Sequence, residues 1–329
     1  MNVRVLFTVT LLAVVWFCSF ANVAYGQASV ESVGQIRSGE TAQTDLSSLQ
    51  KKAQSGDVKA KYLLGWSYMS GTGVSQDYQE AAKWYREAAA QGSADAEFGL
   101  GYLYEQGKGV GRDYRQAVAH YTVAAKHGHA TAENNLGSIY ERGQGVRRDL
   151  GEAARWYRAA ADQGEVTAQC NLASLFFRGK GVAQDYGQAA TWFRAAAERD
   201  YPPAQDDLAW MYYTGTGVTL DYSEAAKWAQ RAAAQGYARA QVDLGYLYEQ
   251  GKGVPLDYVS AYTWYKLAVA GGDDRGRERM KSLSRVMTQQ QISEASNRAA
   301  QFQEARVPQA GMSNPNGIKS SFAPGDEKK

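Results

Sequence analysis

The sequence has few of the residues from which reactive sites are usually built. Its 329 residues include two cysteines and three histidines. Cys18 lies in the N-terminal apolar run, so removal of that run would leave Cys170 as a single thiol, which cannot form an internal disulfide. His120, His127 and His129 have no further residues to complete a metal-ligand set. We therefore expect no metal and no cofactor, and stability that comes from packing.

An excess of charge of one sign is also missing. Thirty-six basic residues stand against thirty-four acidic ones, which gives a formal net charge of +2. Binding of nucleic acid depends on a basic stripe that neutralises phosphates. A nearly neutral chain predicts that nucleic acid is not the partner.

Catalytic motifs are absent as well. No Gly-x-Ser-x-Gly nucleophile turn occurs. Asp206 and Asp207 are adjacent carboxylates, but neighbouring residues of a helix are expected to face different sides of it. The Gly-x-Gly-Val segments lack the Gly-Lys-Ser/Thr of a phosphate loop. We predict that the protein is not an enzyme.

What the sequence does contain is a repeat. An aspartate recurs every 36 residues without an insertion, at Asp77, Asp113, Asp149, Asp185, Asp221 and Asp257. A Gly-x-Gly-Val turn precedes each one. A fixed period of this length is typical of a solenoid of stacked repeats, and such stacks present long binding surfaces.

One repeat predicts two helices separated by turns. The first helix carries apolar residues such as Leu64 at helical spacing and ends at the glycine turn. A small residue recurs beside Leu64, as in Gly65, and predicts close approach of another helix, because glycine costs a helix about 1 kcal/mol. The second helix starts at the aspartate, with a capping box in five repeats. The sixth repeat has Ser260 there, which predicts a weaker cap.

These residues resemble the Sel-one-like repeat family, relatives of the tetratricopeptide repeats. The match is clear in the third repeat, at Ala132, Asn135, Leu136, Gly137, Tyr140, Gly143, Gly145, Val146, Asp149, Ala153, Trp156, Tyr157, Ala159 and Ala160. The resemblance implies an all-α, α/α superhelical solenoid of helix-turn-helix repeats. It also implies a protein–protein adaptor, often exported, and no common catalytic residue.

The period and the composition divide the chain into six segments. An apolar leader with one charged residue, Arg4, and a small-residue end at Gly26 predicts a signal peptide that is cleaved after Gly26. An uncleaved membrane anchor is the alternative, since the run is about 20 residues long. The segments are a signal peptide (1–26), a disordered linker (27–43), an N-terminal capping helix (44–55), six repeats (56–271), C-terminal capping helices (272–305) and a disordered tail (306–329).

The candidate binding surface lies on the first helices. On each of them, positions equivalent to 62, 66 and 69 fall opposite the framework residues and vary between repeats, so we expect them to line the concave face. Aromatic residues gather at both ends of this stripe and polar ones lie in its middle. The alternative is that the rings pack on the neighbouring first helix. The predicted partner-binding residues are Tyr62, Trp66, Phe98, Tyr102, Asn134, Ser138, Glu141, Trp210, Tyr213 and Tyr246.

The sequence therefore predicts an exported, non-enzymatic scaffold in the periplasm or outside the cell. Its expected partner is an exported or envelope protein or peptide, and it would meet a membrane only through an uncleaved signal sequence. Two alternatives remain: a binder of peptidoglycan or carbohydrate, and a cell-wall or β-lactam hydrolase. The tryptophans of the second helices are expected to be core rather than a sugar-binding ladder; they are Trp84, Trp156, Trp192, Trp228 and Trp264.

Overall fold

The computed structural model describes residues 46–306, and this part of the chain forms fifteen α-helices and no β-strand. The helices are α1 (Leu46–Gln54), α2 (Val58–Ser70), α3 (Tyr78–Ala89), α4 (Ala94–Gln106), α5 (Tyr114–Lys126), α6 (Ala130–Arg142), α7 (Leu150–Asp162), α8 (Val166–Arg178), α9 (Tyr186–Glu198), α10 (Pro202–Thr214), α11 (Tyr222–Ala234), α12 (Ala238–Gln250), α13 (Tyr258–Ala270), α14 (Arg275–Leu283) and α15 (Gln289–Arg306). The predicted signal peptide and linker lie outside the described residues.

The predicted all-α solenoid is confirmed. Repeats one to six are the helix pairs α2–α3, α4–α5, α6–α7, α8–α9, α10–α11 and α12–α13, and each helix has 12 or 13 residues. Every helix of the six repeats packs on the helix before it and on the helix after it. Since one pair cannot bury both of its apolar faces, stacking of the pairs supplies the continuous core.

Two glycines in each turn have different tasks. Gly71 ends α2 in the left-handed conformation, with φ 75°, and its N–H donates to the carbonyl of Ser67. The second glycine of the turn serves the contact between repeats: a Cβ on Gly109 would overlap the backbone carbonyl of Tyr78 in repeat one. The Gly-x-Gly spacing therefore recurs because it both ends a helix and lets the preceding repeat approach.

The core of a repeat depends on a tyrosine ring that lies against a helical glycine. A Cβ placed on Gly137 would lie 2.5 Å from Cδ1 of Tyr157, and Gly65, Gly101 and Gly245 are covered in the same way by tyrosines of their own repeats. Tyr157 is fully buried. The predicted close approach at this small residue is confirmed.

The caps of the second helices are simpler than predicted. Asp149 accepts the N–H of Glu152 at 2.9 Å, but its own N–H donates to the carbonyl of Tyr140 rather than to the Glu152 side chain. The capping box is therefore only half formed, because the tight turn provides a backbone acceptor. The capping box of the sixth repeat is incomplete as well, since the N–H of Asp257 donates to the carbonyl of Tyr248, but its cap has an additional hydrogen bond. Asp257 accepts from the N–H groups of Val259 and Ser260 and from the Ser260 hydroxyl at 2.6 Å.

Additional helices cover both ends of the stack. Helix α1 buries Leu49 and Ala53 against the first repeat. At the other end α14 and α15 pack on α13, where Trp264 and Phe302 meet edge to face at 5.3 Å. Arg306, predicted as the first residue of the tail, is still helical and donates to the carbonyl of Gln235. Residues 307–329 lie outside the described part.

Within residues 46–306, no helix combines the length and the apolar composition that crossing a bilayer requires.

We predict that Gly137→Ala destabilises the protein by about 1–3 kcal/mol, because the added methyl group must displace the Tyr157 ring in a filled core. Gly111→Ala is the matched control, since a Cβ there meets no atom within 4 Å. Chemical denaturation of both variants measures the difference. Equal stability of the two variants would contradict the proposed packing.

We also predict that Asp257→Ala costs at least as much stability as Asp149→Ala, with both in the range of about 0.5–2 kcal/mol. Burial alone would raise the pKa of Asp257, but the hydrogen bonds from Ser260 and Val259 outweigh burial and lower the pKa. The contribution of Asp257 is therefore complete above the ordinary carboxyl pKa and is lost as the pH falls through its lowered folded value. Urea unfolding between pH 7 and pH 3 tests both statements; a larger loss for Asp149→Ala would contradict the ranking.

Candidate functional site

The structure buries much of the predicted stripe, which consists of the first-helix residues equivalent to positions 62, 66 and 69. Five of the ten predicted binding residues are buried, namely Tyr62, Trp66, Phe98, Tyr102 and Asn134. The other five are half-buried, namely Ser138, Glu141, Trp210, Tyr213 and Tyr246. A ligand would therefore meet the edges of these rings rather than their open faces.

Four of the predicted residues form one unit at the start of the stripe. Tyr62, Trp66, Phe98 and Tyr102 line a single narrow cleft between repeats one and two, together with Met69. Behind them the core tyrosines support the cleft, and Phe98 lies 5.7 Å from the Tyr121 ring. We call these four residues the N-terminal aromatic cluster.

A second set of rings gathers at the other end. Phe177 meets Trp210 edge to face at 5.6 Å, and Tyr213 meets Tyr246 at 6.1 Å. Each contact joins the first helices of successive repeats. We call Phe177, Trp210, Tyr213 and Tyr246 the C-terminal aromatic cluster. Sequence analysis placed its members in one stripe, and the structure shows that they touch pairwise.

Two polar side chains in the middle of the stripe form hydrogen bonds within the chain. Asn171 Nδ2 donates to Asn134 Oδ1 at 3.0 Å, and both side chains are buried between repeats three and four. Glu141 accepts a hydrogen bond of 2.8 Å from the Tyr157 hydroxyl. These two predicted binding residues therefore already have partners within the chain.

Glu141 follows a rule that comparison of the repeats would have revealed. Glutamates at its position accept from the core tyrosine of the same repeat, with 2.7 Å from Tyr121 to Glu105 and 2.5 Å from Tyr265 to Glu249. Burial raises the pKa of Glu105. Glutamate and tyrosine occur together in these repeats because a buried hydroxyl needs an acceptor.

The comparisons with known proteins agree with this architecture. A family model described as the Sel1 repeat matches six consecutive segments, residues 58–93, 94–129, 130–165, 166–201, 202–237 and 238–273.

The chain belongs to the Sel1 repeat family.

Two solved structures of Sel1 repeat proteins are similar to it. The first is c5321, a protective antigen present in uropathogenic Escherichia coli strains, with a TM-score of 0.72 and 33% identity over 79% of this chain. This chain covers 56% of that antigen's own length. The second is a Sel1 repeat protein from Oxalobacter formigenes, with a TM-score of 0.60 and 28% identity over 76% of this chain and 96% of that one. The search of curated proteins gives no match.

The cysteine of the stripe belongs to the core. Cys170 of the fourth Sel1 repeat is fully buried. The expectation of a single thiol concerns the chain after removal of residues 1–26 and stays a prediction. The other cysteine lies outside residues 46–306.

A buried charge cluster beside Trp210 was missed by sequence reasoning. Arg239 Nε of the sixth Sel1 repeat lies 2.6 Å from Asp206 Oδ2, and Arg239 Nη2 donates to Asp207 Oδ1 at 2.8 Å. The two carboxylates are 0% and 2% exposed. The expectation that they face different sides is wrong, because the next first helix covers both and its guanidinium reaches both. Burial raises the pKa of Asp206 and of Asp207.

The histidines have local structural roles. His120 Nδ1 lies 2.7 Å from Glu97 Oε2, and its ring stacks on Tyr104. His129 Nδ1 accepts the N–H of Ala132 at the start of α6. His127 is exposed just beyond the end of α5. In the described part of the chain, no three histidine, cysteine or acidic residues are grouped so that they could hold a metal ion.

We predict that Arg239→Met destabilises the protein by about 3–5 kcal/mol at neutral pH, because two buried carboxylates lose their cation. The raised carboxyl pKa values mean that the native state retains protons that the unfolded state releases. The destabilisation is therefore largest above the raised folded values and shrinks as the pH falls toward the ordinary carboxyl pKa. Arg155→Met, at an exposed ion pair with Glu152, is the control and should cost less than about 1 kcal/mol. A similar loss in both variants, measured by urea unfolding at pH 8 and pH 5, would contradict this role.

Proposed function

We propose that the protein is a non-catalytic scaffold that binds a protein or peptide along the first-helix stripe. The observation that carries the proposal is the presence of an aromatic cluster at each end of the stripe. The framework residues around the stripe hardly change between repeats. Aromatic residues at partly exposed positions are the usual anchors of protein interfaces. The C-terminal aromatic cluster is half-buried and fits this description, whereas the N-terminal aromatic cluster is buried and presents only ring edges. Within this chain the positions equivalent to 62, 66 and 69 change from repeat to repeat.

Export to the periplasm or beyond is the second part of the proposal. The apolar run of residues 1–26 and its small-residue end support a secretory signal. An exported chain would meet exported or envelope proteins, so a role in envelope regulation or in contact with a host follows. The E. coli relative is described as a protective antigen, and that description agrees with a protein exposed outside the cytoplasm. Amino-terminal sequencing of the secreted chain should begin at Gln27; retention of residues 1–26 would contradict cleavage.

The two other function classes receive less support from the geometry. Sugar binding needs open aromatic faces. The expectation that the second-helix tryptophans are core is correct only for Trp228, which is buried. The other four are half-buried and pack against the edge of the core, so their faces are partly covered; they are Trp84, Trp156, Trp192 and Trp264. Hydrolysis needs a free carboxylate or an activated nucleophile, and Asp206 and Asp207 are held by Arg239. Assays of β-lactam hydrolysis and a pull-down with insoluble cell wall test these classes directly.

Site-specific photocrosslinking in the native host tests where the partner binds. A photoreactive residue at Ser138 lies in the middle of the stripe, whereas one at Arg155 lies on an exposed second helix, where that side chain is 81% exposed. We expect a defined crosslinked protein from position 138 and none of the same mass from position 155. The same crosslink from both positions, or none from position 138, would overturn the stripe as the binding surface.

Trp210→Ala should weaken capture of that partner by at least about 30-fold, or on the order of 2 kcal/mol, if Trp210 is an interface anchor. Trp192→Ala is the matched control, because Trp192 is also half-buried but belongs to a second helix. Both variants should lose similar stability, and only the first should lose binding. Trp66 is less suitable, since it is 8% exposed and its removal would empty the core as well. An equal loss of binding in both variants would show that Trp210 acts only through core packing and does not contact the partner.

A further inference from the structure

A lysine stands over tyrosine rings at each end of the stripe. Lys108 Nζ, in the turn after α4, lies 3.3 Å from the Tyr102 hydroxyl and 5.2 Å from the centre of the Tyr78 ring. Lys252 Nζ, in the turn after α12, lies 2.7 Å from the Tyr213 hydroxyl and 4.8 Å from the centre of the Tyr222 ring. A cation at such distances is held over the rings by the charge distribution of their π faces.

The two lysines occupy equivalent places four repeats apart. Residues 100–110 and residues 244–254 have the same eleven-residue sequence, Leu-Gly-Tyr-Leu-Tyr-Glu-Gln-Gly-Lys-Gly-Val. The preceding repeats also correspond, since Trp66 and Tyr78 are matched by Trp210 and Tyr222. The ring beneath each lysine is therefore equivalent, Tyr78 at one end and Tyr222 at the other. The hydroxyl that accepts from the ammonium is not equivalent: Tyr102 belongs to the same repeat as Lys108, whereas Tyr213 belongs to the repeat before Lys252 and corresponds to Met69.

Both ammonium groups keep donor capacity for a ligand. An ammonium has three N–H donors, and neither lysine has a carboxylate within ion-pair distance in the described part of the chain. The Tyr213 hydroxyl accepts from Lys252 and raises the pKa of that lysine, which keeps it charged. Each end of the stripe therefore presents an uncompensated positive charge.

The acidic residues nearby already have partners. Glu105 and Glu249 accept from Tyr121 and Tyr265, and Asp206 and Asp207 are paired with Arg239. The charge that remains for a ligand at the ends of the stripe is thus positive, although the whole chain is nearly neutral. Charge complementarity then favours an anionic partner.

Resting on the proposed function, we propose that the stripe binds an acidic peptide segment whose carboxylates contact Lys108 and Lys252 at two subsites, one at each end. At the N-terminal end of the stripe, the burial of the rings favours a peptide over an acidic sugar polymer. Trp66 and Tyr102 are 8% and 9% exposed, so they offer no open face on which a sugar ring could stack. Carboxylate side chains of a peptide can reach the lysines without such a face.

Binding of the labelled acidic copolymer poly(Glu,Tyr), followed by fluorescence anisotropy, tests the proposal. Lys108→Met and Lys252→Met should each weaken binding by about tenfold, and the double variant by more than either, because a polymer that spans both subsites binds with avidity. Lys108→Arg and Lys252→Arg should retain most of the binding. Lys180→Met is the control: Lys180 is exposed in the same turn of repeat four, where Ser174 and Leu150 stand in place of Tyr102 and Tyr78. It should change binding less than about twofold.

Several outcomes would overturn the proposal. One is failure of poly(Glu,Tyr) to bind, and another is an equal loss in Lys180→Met. Binding of polygalacturonate that depends on both lysines, without binding of poly(Glu,Tyr), would identify an acidic polysaccharide instead. A partner that crosslinks at position 138 but binds the double lysine variant normally would contradict this inference and leave the proposed function intact. Absence of that crosslink, with lysine-dependent binding of poly(Glu,Tyr), would contradict the proposed function alone.

Discussion

The contact between a tyrosine ring and a helical glycine determines how the two helices of a repeat pack. In repeats one, two, three and six the ring covers a glycine so closely that a methyl group would not fit. The ring is buried, and its hydroxyl therefore needs a partner inside the repeat. A glutamate at the end of the first helix provides it in three of these repeats, and Met69 Sδ lies 3.6 Å from the Tyr85 hydroxyl in the first.

The two repeats that lack this contact differ on their surface as well. Repeat four has Phe193 and repeat five has Ala229 in place of the tyrosine, and neither side chain carries a hydroxyl. No acceptor is then needed at the position that holds the glutamate in the other repeats. That position is occupied by Phe177 in repeat four and by Tyr213 in repeat five. These are the residues that meet Trp210 and Tyr246 in the C-terminal aromatic cluster. The position of one aromatic cluster thus follows from a change in the core.

This link between core and surface bears on how the protein could recognise a partner. Rings that neighbouring repeats half-bury present only their edges and hydroxyl groups to a partner. Lys108 and Lys252, in the turns, add positive charge at the two ends of the stripe. Recognition would then combine limited apolar contact with directed polar contacts, as at the rim and centre of many protein interfaces. Because successive repeats hold the rings, their spacing along the solenoid is set by the stack and not by a flexible loop.

The sequence by itself determined the helices, their number in the repeats and their boundaries, because the period, the glycine turns and the aspartate caps are local signals. It also placed the candidate residues in one stripe, since helical spacing alone defines that side. It did not determine how deeply they lie: the neighbouring first helices decide that Trp66 is buried and Trp210 only partly so. Nor did it show that Arg239 would draw Asp206 and Asp207 to one guanidinium, or that Tyr140 would take the N–H of Asp149. Those contacts join residues of different helices or repeats, and only the packing of the stack brings them together.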